Sequence, residues 1–139
     1  DLRLEYQYTG TQKVFLVIAD SISCSSGGTV PLDPYGRWPD THNRQQSNAV
    51  LANGGCGSAK LTDFTGASWL VQRMNPAEIA YDGAVIQAGI NDINSGQSLA
   101  TMKTRLVAVV SALAGLSKPI TRLYAMTMTP KIACQGFHL

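Results

Sequence analysis

Val14-Phe15-Leu16-Val17-Ile18-Ala19-Asp20-Ser21 is the stretch on which the fold turns. An unbroken apolar run, rich in β-branched residues, stops abruptly at an aspartate and a serine. A strand with one wet face would alternate apolar and polar residues. A run apolar on both faces suits a central parallel strand covered by helices on either side.

Outward from this strand the same pattern recurs. Ala49 to Ala52 is a second short strand, ending in Asn53-Gly54-Gly55-Cys56-Gly57. Ala84 to Ala88 is a third, ending in Gly89-Ile90-Asn91-Asp92, and Leu123 to Met128 a fourth, ending at Thr129-Pro130. Between the last two, Met102, Leu106, Val109, Val110 and Leu113 form a stripe of helical period. This predicts a helix over Ser98 to Leu116, with Ser98 as its N-cap and Gly115 and Pro119 closing it. A shorter helix is expected over Ala67 to Met74, ended by Asn75-Pro76, and a polar surface helix over Trp38 to Asn48. Strands alternating with helices predict an α/β layer architecture with a parallel sheet. The 139 residues fit one domain. Within it, residues 1–13, where Leu2, Leu4, Tyr6 and Tyr8 alternate, read either as an edge strand or as the tail of a preceding domain.

Composition narrows the function classes. Hydrophobic residues make up 45% and charged residues 14%, enough apolar material for a core. Net charge is +2 with no run of Lys or Arg, so the chain has no electrostatic footprint for nucleic acid or an acidic membrane. No apolar stretch is long enough to span a bilayer. Asp1 to Gly10 has no apolar core of a signal peptide, although a mature domain could have lost one. Cys24, Cys56 and Cys134 allow at most one internal disulfide, show no CxxC spacing, and read best as buried free thiols. No cofactor or metal is expected.

Chemistry-bearing residues collect at strand ends, where open parallel sheets bind ligands. Ser21 follows the first strand, so its hydroxyl faces the crevice and the next backbone N–H groups can stabilise an oxyanion. An ordinary N-cap serine would stand in the same place. Gly57 lies where a backbone amide can approach a ligand, and Asn91 offers a side-chain amide. Each is equally a turn residue when taken alone. Together they supply different parts of an acyl-transfer site. The loop Gly28 to Trp38, with Leu32, Tyr35 and Trp38, either lines that pocket or packs beneath a long loop.

These blocks resemble the SGNH (GDSL) hydrolases. Ile18-Ala19-Asp20-Ser21-Ile22-Ser23 is similar to their GDS nucleophile block. Asn53 to Gly57 is similar to the second block, and Gln87 to Asp92 to the GxND block. The resemblance covers Val14 to Pro130 and implies a flavodoxin-like three-layer α/β/α sandwich with a central parallel sheet. It implies a serine esterase, with Ser21 as nucleophile and the Gly57 amide and Asn91 side chain as oxyanion donors. The expected substrate is a small-molecule or glycan ester, an O-acetylated carbohydrate first, and the expected location is secreted or extracellular.

The sequence departs from the pattern at Ala19, where the family has glycine, and at its end. Gln135-Gly136-Phe137-His138 keeps the frame of the family's DxxH block but places glutamine where the aspartate stands. The eight steps from Pro130 to His138 reach at most about 26–29 Å, enough to cross the mouth of a small sheet. The resemblance makes His138 the candidate base, with Gln135 placed to orient it; a frayed terminal residue is the other reading of His138, and His42 ranks below it as a surface residue. Two rivals remain: a catalytically impaired glycan-binding module, and an anion binder using Ser25-Ser26-Gly27-Gly28-Thr29.

Overall fold

The computed structural model describes residues 12–23, 38–45, 48–65 and 79–126. Strand β1 (Lys13–Ala19) is followed by helix α1 (Trp38–Gln45) and strand β2 (Ala49–Asn53). A 3-10 turn (Leu61–Phe64) comes next, then strand β3 (Gly83–Gln87), the short helix α2 (Ile90–Asn94), helix α3 (Leu99–Ala114) and strand β4 (Leu123–Ala125). The expected helix over Ala67 to Met74 and the segment Leu2 to Tyr8 lie outside the described residues, and Lys13 belongs to β1 rather than to a leading tail.

The four strands form one sheet in the order β2-β1-β3-β4, every neighbouring pair parallel. Side chains alternate across β1. Leu16 and Ile18 point to one face and join Ala84 and Ile86 of β3, Leu61 and Phe64 of the 3-10 turn, and Val109 and Leu113 of α3. Val17 and Ala19 point to the other face, with Leu51, Phe15 and Trp38 at the start of α1. Residues 16–19 are all at most 1% exposed, and burying one such Leu or Ile side chain contributes about 1.5–3 kcal/mol. Both faces of β1 are dry, as its unbroken apolar run requires, and the layers are those of an α/β/α sandwich.

Helix α3 begins where the stripe predicts. Ser98 Oγ accepts the Thr101 N–H at 3.1 Å, and the Gly115 N–H closes the other end on Ser111 O. The stripe is less buried than expected at Leu106, which stays 38% exposed because only the C-terminal half of the helix sinks Val109 and Leu113 into the core. Helix α1 falls within the polar helix expected over Trp38 to Asn48, and its first turn faces inward: Pro39 is fully buried, and Trp38 packs on the sheet. It also finishes an edge. Asn43 donates Nδ2–H to Leu51 O (2.9 Å) and accepts Leu51 N–H (2.7 Å), so the outer side of β2 is paired by a side-chain amide that imitates a strand.

Candidate active site

The strand order creates the site. From β1 the chain passes to β2 on one side, then returns to β3 on the other. Loops leaving β1 and β3 therefore diverge, and ligands of open α/β sheets bind in the crevice at such a switch point. Ala19 is in register with Gln87, so β1 and β3 end level. Beyond the end of β2 the chain keeps to β1, with Gly54 N–H donating to Val17 O (2.9 Å) and Cys56 N–H to Ala19 O (3.1 Å). Ser21, Gly57 and Asn91 thus leave the sheet from three adjacent strands at one end, and neighbouring strands stand about 4.8 Å apart.

Ser21 is half-buried within a turn that its neighbours fix. Asp20, 1% exposed, accepts Ile22 N–H with its carboxylate (3.1 Å) and Ser23 N–H with its carbonyl (3.2 Å). Asn53 Nδ2–H donates to Ser23 O (2.9 Å), while its Oδ1 accepts Gly55 N–H (2.9 Å). Capping in this turn therefore falls to Asp20, and no described residue hydrogen-bonds the Ser21 hydroxyl.

Gly57 is exposed, a Cβ there would meet nothing within 4 Å, and no described residue accepts its N–H. Crowding requires glycine at Gly55 instead, where a Cβ would overlap the Ser23 hydroxyl. The left-handed residue of this loop is Ser58 (φ 63°), a position the sequence does not announce. Asn91 lies in α2, not in a plain turn. One N–H of its side-chain amide donates to Ala59 O (2.9 Å), and the second hydrogen remains for another acceptor. Gly89, which opens α2 at φ 128°, holds a backbone conformation strained for any other residue.

Asp92 is the residue whose part sequence reasoning missed. It is completely buried, accepts Leu61 N–H (2.9 Å) on one carboxylate oxygen and pairs with Arg105 Nη1 (2.6 Å) on the other. The signal was present: Arg105 stands three residues after Met102 and four before Val109, a cation on the flank of an apolar stripe. A charge drawn into the core from there has to be paired.

Trp38, offered above as a pocket or packing residue, packs on the second core face and donates Nε1–H to Gln87 Oε1 (2.7 Å). His42 is half-buried, not a surface residue, and its Nε2 is enclosed without a partner among the described residues. Cys56 is a free, half-buried thiol. His138, Gln135, Cys24, Cys134 and the Ser25 to Thr29 segment lie outside the described residues. Among the described residues no His, Cys, Asp and Glu cluster could hold a metal, and no helix is long and apolar enough to cross a membrane.

No protein-family model matches the sequence, and no curated protein matches it. Solved structures do resemble the fold. The chain superposes on AlinE4, described as an SGNH-hydrolase family esterase, with a TM-score of 0.60 and 22% identity over 88% of this chain and 64% of that one. It superposes on the psychrotrophic esterase EstA from Pseudoalteromonas sp., in a structure inhibited by monoethylphosphonate, with a TM-score of 0.60 and 20% identity over 86% and 63%. The chain therefore has the α/β fold of the SGNH-hydrolase esterases, and it spans just under two thirds of the length of these structures.

Proposed function

We propose that this chain is a serine esterase of the SGNH type acting on short acyl esters, with an O-acetylated carbohydrate as the first substrate class to test. The observation that carries it is the common exit of the Ser21, Gly57 and Asn91 loops at the β1/β3 switch point, with a serine hydroxyl, a backbone N–H and one amide hydrogen unclaimed by any described residue. These are a nucleophile and two oxyanion donors.

In the proposed cycle His138 takes the Ser21 proton as Oγ attacks the ester carbonyl. The Gly57 N–H and Asn91 Nδ2–H receive the negative oxygen. Collapse of the tetrahedral intermediate breaks the bond to the alcohol, which leaves with the proton from His138. Water, deprotonated by the same imidazole, then attacks the acyl-enzyme and frees Ser21. Gln135 orients the imidazole through its amide oxygen but brings no charge to stabilise the imidazolium.

Likeness to esterase structures supports this reading at the level of fold. Gln135 favours the alternative, a glycan-binding module whose catalysis is impaired. The two are separated with a fluorophosphonate probe and acetyl-ester hydrolysis. An esterase is labelled at Ser21, loses the label in Ser21→Ala, and turns over p-nitrophenyl acetate. A chain that does neither but binds acetylated glycans is the alternative.

A further inference from the structure

The segment that follows Gly57 is held from one short helix at two successive residues. Asn91 binds the carbonyl of Ala59 (2.9 Å), and Asp92 binds the N–H of Leu61 (2.9 Å). Asp92 can do this only if its carboxylate keeps one orientation, because the two oxygens serve different partners. Its second oxygen is taken by Arg105 Nη1 at 2.6 Å. The Asp92 side chain is 0% exposed and the Arg105 side chain 24% exposed, so the pair is fully shielded from competing water on the Asp92 side only.

We infer that Arg105 is a positioning residue for the oxyanion donors: by fixing the Asp92 carboxylate it sets the 59–61 segment against α2, and so sets the spacing between the Gly57 amide and the Asn91 side chain. This rests on the esterase reading proposed above. Its physical basis is that donors preorganised toward developing charge stabilise a transition state without reorganising as the charge forms. Arg105 touches no reacting atom. A guanidinium suits the task because it is always charged and donates from a rigid fork. Without it, the buried carboxylate keeps only the Leu61 N–H among its hydrogen bonds to described residues and is free to rotate or draw in water.

The test uses the full chain, with p-nitrophenyl acetate as substrate and circular dichroism to show that each variant is folded at the assay temperature. Arg105→Met keeps a helix-forming, space-filling side chain and removes the charge. It is expected to lower kcat about 10- to 100-fold, the scale of a small misplacement of reacting groups, with KM little changed. Arg105→Lys is expected to recover much of that loss, which a merely space-filling role would not require. If Arg105→Met does not fold, Asp92→Asn, isosteric and still an acceptor for Leu61 N–H, carries the same comparison and the same expected fall in kcat. A folded Met or Asn variant with the wild-type kcat, or with a change in KM alone, overturns the positioning role and leaves the esterase assignment intact. Wild-type protein that neither hydrolyses the ester nor takes a fluorophosphonate at Ser21 overturns the esterase assignment, and this role with it.

Discussion

Gly55 lies directly against Ser23: a Cβ on Gly55 would overlap the Ser23 hydroxyl and stand 3.0 Å from Asn53 Oδ1 and 3.1 Å from Ser23 Cβ. Ser23 cannot give way easily, since it is fully buried, its hydroxyl donates to Asp20 O (3.2 Å) and its carbonyl accepts from Asn53. The loop after β2 thus braces the turn that carries Ser21. Gly55→Ala should destabilise by about 1–3 kcal/mol, as overpacking does, and should lower any Ser21-dependent rate. In the double variant with Ser23→Ala the worst overlap is gone, so the two losses should fall short of additive in urea unfolding. Strictly additive losses would mean that the two residues do not meet.

A second prediction concerns the sheet edge. Asn43 supplies both a donor and an acceptor to Leu51, whose backbone would otherwise face outward from β2. Asn43→Ala removes both bonds and leaves a part-buried amide and carbonyl short of partners, a loss of about 1–3 kcal/mol. Asn43→Asp keeps the acceptor for Leu51 N–H but sets a carboxylate oxygen against Leu51 O, so it should rescue little. Urea midpoints for the three proteins check this, and equal midpoints would show that water replaces the side chain at no cost.

Much of this architecture was legible because the strands and α3 are governed by local pattern. An apolar run closed by Asp20-Ser21 has few alternatives, and the stripe through Val109 and Leu113 with Ser98 before it marks a helix and its start. What was not legible depends on contacts distant in sequence. Nothing near Asn43 says that it will pair with the backbone of Leu51. Nothing in Asn53 to Gly57 tells which glycine is crowded, because that depends on Ser23 arriving from another loop. The candidate site follows the same division. Ser21, Gly57 and Asn91 were placed by their positions after strands, whereas the link from Arg105 through Asp92 to Leu61 needs three elements packed together. The polar composition of α1 marks a surface helix but does not show that Trp38 and Pro39 turn inward.

If a histidine is the base, ester hydrolysis should depend on pH in one direction. The imidazole must be neutral to take the Ser21 proton, so activity should be full above the histidine range and fall as pH drops through about 6.5. The rate of fluorophosphonate labelling at Ser21 should follow the same curve. A flat profile between about pH 5 and 8 would remove a histidine from the mechanism.

The last prediction concerns the chain's end, where the resemblance and the residues part company. With Gln135 in the place of an aspartate, the proposed base has an orienting amide but no carboxylate to stabilise its charged form. Gln135→Asp should therefore raise turnover, within the roughly 10⁴-fold range that replacing a triad acid by its amide can cost. The gain should appear in kcat, because the added charge acts on the imidazolium that exists only as the bond forms. His138→Ala should remove most of the activity and should make Gln135→Asp silent in the double variant, since the carboxylate would then have nothing to stabilise. A glycan-binding module predicts that none of these substitutions alters ester turnover. Acetyl-ester hydrolysis measured for wild type, the two single variants and the double variant decides between them. A Ser21-dependent rate that survives His138→Ala unchanged would move the base to His42, whose enclosed Nε2 has no partner among the described residues, or to a group outside this chain.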